Sequence, residues 1–305
     1  MEETIVRTGT AHRRLLAARP LAVIHVDERV PFAWTKQDGV YPFWARCHGM
    51  LPTLTIRYTD AWRWRRDGIK RARVQVSVNH RAATSQNVLA AIPGTNPALP
   101  ALMLMAHHDT QCENLGADDN ASGVVALLAL TRLLTKRRSL RTVHLISFGT
   151  EEQLSLGAAA HVTRHDPNRH SVGLVLNLDA IDSPLVHFTM FVSGHKHLGE
   201  YARRRLAIRG VDVVANSDLT PFGDHFPFNR AGIPSLAFIR FNTPGGRWQH
   251  HGPHDTLENV SLSETQRFLE GMWPLVETLR RTAHWPFPST LPRPQWRRAK
   301  QFGAE

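Results

Sequence analysis

The part of the chain after residue 87 alternates short apolar runs with helical patterns. Five apolar runs have the length of strands and end in polar or charged residues, at residues 88–92, 102–106, 143–148, 174–178 and 235–239. Continuous apolar character is typical of strands that are buried on both faces. These runs therefore predict a buried sheet.

Helical patterns lie between these runs. In residues 122–134 the apolar positions recur with the spacing of one helix face, and residues 156–163 and 263–281 show similar patterns. Ser263 and Gln266 have the spacing of a capping box at the start of the last helix. Strands that alternate with helices predict an α/β fold with an at least partly parallel sheet, covered on both faces. Ligands of such sheets bind beyond the carboxyl ends of the strands.

The two ends of the chain differ from this middle part. Residues 21–25, 54–58 and 74–78 predict short strands, separated by loops that contain proline and glycine. The tail after Trp285 contains four prolines, which predict an extended appendage. We therefore predict a small β-rich unit in residues 1–85, a main domain in residues 86–285 and a basic, proline-rich tail in residues 286–305.

Composition excludes disorder and a membrane-spanning helix as main themes. Of the 305 residues, 42% are hydrophobic and 21% are charged, which is enough to build a full core. No run approaches the roughly 18 consecutive apolar residues of a transmembrane helix, so we expect a soluble protein. The start, Met1-Glu2-Glu3, is unlike a secretory signal and predicts a cytoplasmic protein, whereas a start site further upstream would leave room for an export signal.

The charge and the histidine content point in different directions. A formal net charge of +11 suggests an anionic partner such as nucleic acid. The basic residues, however, concentrate in residues 63–73 and 293–300, so we do not expect nucleic acid as the main partner. The chain has 18 histidines and only two cysteines, which leaves any metal chemistry to imidazole and carboxylate ligands.

Candidate ligands and proton acceptors follow the predicted strands or stand at the entrance of the helix 122–134. They are His107, His108, Asp109, Asp118, Asp119, Asn120, Glu151, Glu152 and Asp179, and a further pair, His250 and His251, lies in the loop that leads to Asp255 and Thr256. Singly, each group is more often a surface pair, a helix cap or a solvated turn than a ligand set. Solvation does not explain, however, why acids end successive buried strands.

The whole set meets the requirements of a two-metal site. Two divalent metals roughly 3.5–4 Å apart need imidazole ligands, terminal carboxylates and one carboxylate that bridges both ions. A further carboxylate must accept a proton from water. The candidates include two histidines, three acidic ligands and a spare acid, so the sequence favours metal-dependent hydrolysis.

Five ordered blocks in the chain resemble the co-catalytic zinc aminopeptidases, that is, bacterial leucyl aminopeptidase and its relatives in peptidase family M 28. The blocks are Ala106-His107-His108-Asp109, Gly116-Ala117-Asp118-Asp119-Asn120-Ala121-Ser122-Gly123, Glu151-Glu152, Asn177-Leu178-Asp179 and His251-Gly252-Pro253-His254-Asp255-Thr256. Five blocks in this order are a highly specific signal. The resemblance implies a zinc peptidase with a mixed, mostly parallel sheet, two zinc ions per chain and peptide substrates.

The resemblance assigns the metal ligands position by position. It implies that His107 is a terminal ligand of one zinc, that Asp119 bridges the two ions and that Glu152 is a further ligand. Asp179 would complete the shell of one metal and His251 that of the other. No nitrogen or oxygen ligand of the family's set is missing.

The resemblance also implies how the neighbouring residues act. Glu151 matches the general base, which deprotonates the attacking water and returns the proton to the leaving amine. Asp109 would hold the imidazole of His107. His108 and Asp118 should have supporting roles, because consecutive residues at a strand end point in alternate directions.

The residues that bind substrate are less well marked. His250 stands where several relatives carry a tyrosine that steadies the tetrahedral oxyanion, although a plain loop residue is an equal alternative. Asp224 and His225 match a block near the substrate pocket, and Phe226 is a candidate to line a side-chain pocket. Other candidates for contact with substrate are Phe222, Trp248 and Cys112, each of which has core packing or an idle side chain as its alternative.

The N-terminal unit resembles the later part of the protease-associated lid domain that many relatives carry before the strand 88–92.

Three alternative functions remain open at this point. A glutaminyl cyclase-like enzyme of the same fold would keep a single zinc, and a non-catalytic receptor-like relative would have lost ligands. A nucleic-acid binder would show binding to DNA that weakens steeply with salt.

Overall fold

The computed structural model describes residue 14 and residues 17–27, 52–75, 77, 81–165, 171–184, 187–240 and 249–301. Its main feature is a seven-stranded sheet, whose strands lie in the order β3 Val88–Ile92, β5 Val143–Phe148, β4 Ala101–His107, β6 Val172–Leu178, β9 Ser235–Ile239, β7 Phe188–Ser193 and β8 Val213–Asn216. Strand β3 is antiparallel to β5 and β7 is antiparallel to β9, while the other four neighbouring pairs are parallel. The predicted α/β class with a mixed, mostly parallel sheet is confirmed.

The strands and helices follow one another in alternation through most of the chain. The strands are β1 Val23–Asp27, β2 Thr53–Arg57, β3 Val88–Ile92, β4 Ala101–His107, β5 Val143–Phe148, β6 Val172–Leu178, β7 Phe188–Ser193, β8 Val213–Asn216 and β9 Ser235–Ile239. The helices are α1 Tyr58–Arg66, α2 Gly123–Leu134, α3 Leu156–His165, α4 Lys196–Ala207, α5 His225–Arg230, α6 Leu262–Arg281 and α7 Arg293–Gln301. An irregular helical turn, Ala117–Ser122, leads into α2, and a short 3₁₀ turn, Leu257–Asn259, precedes α6.

The main core lies between the sheet and helices α2, α4 and α6. Phe268 of α6 is fully buried there and stacks on Phe188 of β7 with ring centroids 4.8 Å apart. A smaller apolar cluster on the other side contains Met103, Phe148 and Phe228. Helices therefore cover both faces of the sheet, which keeps its central strands dry.

This topology brings the polar strand ends to one edge. Strands β4, β5, β6 and β9 run parallel, and His107 at the end of β4 pairs in register with Phe148 at the end of β5. Asp179 follows directly after β6, and its amide donates to the carbonyl of Phe238 in β9. The candidate ligands thus stand where ligands of parallel sheets bind.

The structure corrects three local predictions. The described part of residues 74–78 carries no strand. Helix α6 begins at Leu262, and Gln266 donates to Glu270 instead of closing a capping box with Ser263. The tail is not extended, because helix α7 occupies residues 293–301 and packs its buried Ala299 against Leu219 and Phe226.

The N-terminal strands β1 and β2 form a separate parallel pair. Among the described helices, none combines the length and the apolar character that crossing a bilayer requires.

Candidate active site

The first donor group surrounds His107 at the end of β4. Its Nε2 lies 3.2 Å from Asp119 Oδ1, 3.5 Å from Asp179 Oδ1 and 3.9 Å from Glu151 Oε2. The opposite ring nitrogen, Nδ1, lies 3.0 Å from the backbone carbonyl oxygen of Asp109. A proton on Nδ1 satisfies that carbonyl and leaves the lone pair of Nε2 directed at the carboxylates.

The second donor group surrounds the other oxygen of Asp119. Asp119 Oδ2 lies 3.1 Å from His251 Nε2 and 2.9 Å from His250 Nδ1. His251 Nε2 is also 3.0 Å from Glu152 Oε2. Each oxygen of the Asp119 carboxylate therefore faces its own set of donors, as a bridging ligand would.

These crowded sets fit divalent cations better than they fit hydrogen bonds. One imidazole nitrogen carries at most one proton, yet His107 Nε2 faces three carboxylate oxygens and is buried without a hydrogen bond among the described residues. Ligand atoms of the groups His107, Asp119, Asp179 and Asp119, His250, His251 lie within 4.8 Å of one another. In a tetrahedral zinc site, bonds of about 2.0–2.2 Å place neighbouring ligand atoms roughly 3.3 Å apart. The nitrogen and oxygen donors present here suit zinc.

The backbone around Asp119 is held by Asp255. The carboxylate of Asp255 is buried, and its two oxygens accept the backbone N–H groups of Asp118 at 2.6 Å and Asp119 at 3.0 Å. These two hydrogen bonds fix the backbone of the turn and so the direction in which the side chain of Asp119 leaves it.

Asn120 ties the same turn to the end of β6. Its Nδ2 donates to the carbonyl of Leu178, and its Oδ1 accepts the amides of Gly123 and Ala180. Gly123 permits this close approach, because a Cβ there would collide with the carbonyl of Leu178. The turn that carries Asp119 and the strand end that carries Asp179 are thereby fixed relative to each other.

Asp118 points away from the donor groups into a buried network. Its Oδ1 accepts the amide of Asp182 at 2.7 Å, and its Oδ2 accepts a hydrogen bond from Gln249 at 3.2 Å. Burial raises the pKa of Asp118 to about 8. Its place agrees with a supporting part and not with a ligand.

The turn after β5 is organised by Asp109. The carboxylate oxygens of Asp109 accept the backbone N–H groups of Glu151 at 3.0 Å and Glu152 at 3.1 Å. The carboxylate lies farther from His107 Nδ1, at 3.6 Å, than the Asp109 carbonyl oxygen does. The carbonyl oxygen of Asp109 is thus the nearer partner of the His107 ring, while the carboxylate lies beside the ring and also orients the two glutamates.

The two glutamates diverge from this turn. Glu151 Oε1 accepts a hydrogen bond from Ser155 at 3.2 Å, while Glu152 Oε2 accepts one from Gln111 at 2.8 Å. Glu151 faces the His107 group and Glu152 faces His251. Their different neighbours permit different chemical roles.

The electrostatics of the site separate Asp119 from Glu151. Burial disfavours ionised Asp119, but its contacts with His107, His250 and His251 hold the pKa of that carboxyl well below its usual range. Burial raises the pKa of Glu151 well above its usual range, and the charge of His107 offsets this only in part. Asp119 is therefore suited to remain ionised as a ligand, while Glu151 is suited to bind and release a proton.

Of the remaining predicted residues, Asp224 lies beside this centre, whereas His108 and Phe226 have other neighbours. His108 is exposed and bonds to the hydroxyl of Ser147 at 2.9 Å, away from the donor groups. Asp224 is fully buried beside the charges of Glu151 and Asp179, and burial raises its pKa to about 8. Phe226 packs in a small apolar cluster with the C-terminal helix.

Two further candidates are exposed, and a third lies outside the described residues. Phe222 is exposed, Trp248 lies outside the described residues, and Cys112 is an exposed free thiol. Cys112 does line a cavity of about 470 Å³ that His251 also lines. The rest of that cavity comes from the loop 112–114, the turn 251–253 and residues of β2 and α1.

Sequence reasoning missed several residues that position the site. The clamp by Asp255, the support of Asp118 by Gln249, and the bond from Gln111 to Glu152 all join residues that are distant along the chain. Only Asp255 had a signal, since it stands inside the block that contains His251.

Comparison with known proteins gives a clear family match. A family model described as Peptidase family M 28 matches residues 87–276. Aminopeptidase YwaD of Bacillus subtilis (strain 168) is 29% identical over 199 residues, which are 60% of this chain and 42% of YwaD. The vacuolar membrane protease of Eremothecium gossypii is 35% identical over 95 residues, which are 31% of this chain and 9% of that protein. The chain thus spans less than half the length of these curated relatives.

Solved structures show the same fold. The zinc aminopeptidase BSAP from Bacillus subtilis aligns with a TM-score of 0.58 and 22% identity, over 68% of this chain and 52% of BSAP. A Peptidase M 28 precursor from Shewanella amazonensis aligns with a TM-score of 0.67 and 17% identity, over 88% of this chain and 62% of that chain.

Proposed function

Because the chain belongs to peptidase family M 28, we propose that it is a zinc-dependent aminopeptidase, which hydrolyses the N-terminal residue from peptides. The observation that carries this proposal is the arrangement around Asp119, whose two carboxylate oxygens each face a separate set of imidazole and carboxylate donors. The similarity to aminopeptidase YwaD supports the aminopeptidase activity.

We assign the ligands of two zinc ions to the two donor groups. His107 and Asp179 would hold one ion, His251 and Glu152 the other, and Asp119 would bridge them. Bound zinc would polarise the scissile carbonyl and make a water molecule acidic enough to be deprotonated near neutral pH.

Glu151 is the residue suited to act as general base and acid. Its Oε2 points toward the His107 group, while Ser155 and the Asp109-bound backbone amide hold the rest of the side chain. Glu151 would take a proton from the attacking water on Oε2 and deliver it to the leaving amine. Burial is the first cause of the raised pKa of Glu151, and a raised pKa favours such uptake and release of a proton.

The cavity beside His251 supports a binding place for the peptide. Its volume of about 470 Å³ accommodates one or two amino-acid residues, and it opens between the loop 112–114 and the N-terminal strand β2. The N-terminal unit would therefore form one wall of the substrate cleft.

The activity can be tested with purified, zinc-loaded protein on a panel of aminoacyl-nitroanilides and dipeptides. We expect hydrolysis of substrates with a free α-amine and none of their N-acetylated counterparts. If the zinc-loaded protein leaves the whole panel untouched, the proposed activity is wrong. Cleavage that is indifferent to acetylation would indicate an endopeptidase instead.

The roles of the glutamates need a separate experiment. Glu151→Ala should abolish turnover and leave the bound zinc unchanged, because Glu151 is assigned no metal. Glu152→Ala should lower the zinc content. The reverse pattern, measured by elemental analysis, would show that the two glutamates have exchanged roles.

A further inference from the structure

His250 shares the donor set of His251, although the family resemblance does not assign it a metal. Its Nδ1 lies 2.9 Å from Asp119 Oδ2, and His251 Nε2 lies 3.1 Å from the same oxygen. The two imidazole rings stack with centroids 3.7 Å apart and an interplanar angle of 26°. Both nitrogens therefore approach one carboxylate oxygen from adjacent directions.

We propose that His250 is a direct ligand of the second metal ion, together with His251, Asp119 and Glu152. This inference rests on the proposed metal centre and adds a residue to it. The chemical class of the ligand atom is a neutral imidazole nitrogen, which zinc and other late transition metals bind well.

The packing of the two rings favours a shared cation over two separate ion pairs. An imidazole nitrogen without a proton has a lone pair that a cation can use, and Asp119 Oδ2 offers a further donor atom to the same cation. His250 Nδ1 and His251 Nε2 lie 2.9 Å and 3.1 Å from Asp119 Oδ2. Both distances are close to the separation of roughly 3.3 Å between neighbouring ligand atoms of a zinc ion.

Glu152 is not part of the compact set of ligand atoms around Asp119 Oδ2. Its Oε2 is 3.0 Å from His251 Nε2 but is also held by Gln111 at 2.8 Å. The three-residue group whose ligand atoms all lie within 4.8 Å consists of Asp119, His250 and His251. His250 is thus the donor that stands closest to Asp119 on this side.

The consequence is an asymmetric centre. The second ion would have four protein ligands, which is the closed coordination of structural zinc sites, whereas the His107 group offers three and leaves a position open. The ion in the His107 group is then the one that exchanges its remaining ligand with solvent or substrate.

The test separates a ligand from a hydrogen-bond donor by the choice of substitution. His250→Asn retains an N–H donor but is a poor zinc ligand, while His250→Cys supplies a thiolate ligand without a comparable donor. His108→Ala is the matched control, because His108 is exposed and bonds to Ser147. Metal content and affinity are measured by chelator competition, and the coordination sphere is measured by absorption of the Co²⁺-substituted proteins.

We expect the wild-type protein and His108→Ala each to bind two ions, and each ion should bind the two proteins with the same affinity. His250→Asn should bind the second ion at least about 100-fold more weakly, since loss of even an outer partner costs up to that factor. Co²⁺-loaded His250→Cys should show a thiolate-to-cobalt charge-transfer band in the near ultraviolet. Folding of each variant is checked by its far-ultraviolet circular dichroism.

Two results would overturn the inference while leaving the proposed function intact. One is a His250→Asn protein that binds both ions as tightly as wild type. The other is a His250→Cys protein that binds two Co²⁺ ions without a charge-transfer band. A wild-type protein that binds no divalent metal would instead refute the proposed metal centre and this inference together.

Discussion

Replacing Asp255 by alanine should destabilise the turn that carries Asp119, although Asp255 is not itself a proposed metal ligand. Its carboxylate accepts the N–H groups of Asp118 at 2.6 Å and Asp119 at 3.0 Å in a fully buried position. Alanine leaves both amides without an acceptor. Each buried group that loses its partner costs about 1–3 kcal/mol, so the free energy of unfolding should fall by roughly 2–6 kcal/mol.

The same substitution should weaken metal binding. Once its amide is released, Asp119 no longer leaves the turn in a fixed direction, and loss of such outer support typically costs about 10–100-fold in metal affinity. Asp255→Asn should fall between wild type and alanine, because the amide oxygen can serve one N–H group while the amide nitrogen opposes the other.

Stability is best measured by urea unfolding of metal-free protein in chelator, so that metal binding does not add to it. Zinc affinity is then measured by competition. Glu258→Ala is the control, because Glu258 lies in the next turn with an exposed side chain. An Asp255→Ala protein whose unfolding free energy and zinc affinity match those of the control would refute the clamp.

Three further predictions concern the scaffold. Burial lowers the pKa of His161 to about 4, below the 6.5 of an unfolded histidine. Its neutral form therefore gives stability that is complete above pH 6.5 and is lost as the pH falls toward 4. His161→Leu should reduce this loss of unfolding free energy by about 1 kcal/mol, once the partial exposure of His161 is allowed for, as measured by urea unfolding at pH 5 and 7.5. Phe268→Ala removes a fully buried ring stacked on Phe188 and should cost about 3–5 kcal/mol, measured in the same way. Gly157→Ala places a Cβ against the carbonyl of Gly149 and should displace the turn after β5, which would lower both the melting temperature and turnover. Unchanged values of both would show that the turn can move to accommodate the Cβ without loss.

The sequence predicted the part of the fold that depends on local apolar pattern. The strands that end at His107 and Leu178 were visible because buried parallel strands consist of continuous apolar residues. The positions at the ends of these strands then followed from the geometry of parallel sheets.

Helices α1 and α7 show why local pattern fails elsewhere. No residue of α1 is buried, so the helix lacks the core-facing side that an apolar pattern predicts. In α7 the prolines suggested an extended tail, but Pro294 is the second residue of the helix, where a missing N–H group costs nothing. The helix is held by tertiary contacts, such as the bond from Trp296 to the carbonyl of Arg230.

The site was predictable as a set of residue types and not as a geometry. The candidate ligands could be named, since most of them follow a strand or stand at the entrance of a helix, and His251 lies in a specific sequence block. The sequence could not show that Asp109 binds the amides of both glutamates, or that His250 approaches Asp119. Both features depend on contacts between segments that are far apart along the chain.

The most direct test of the account is a zinc titration of the metal-free protein, with bound zinc and the hydrolysis of an aminoacyl-nitroanilide measured on the same samples. Metal-dependent catalysis at the Asp119 centre predicts no turnover in chelator, and a rate that rises with bound zinc to a plateau at two ions per chain. Hydrolysis that persists without metal, or full zinc loading without hydrolysis, would contradict it.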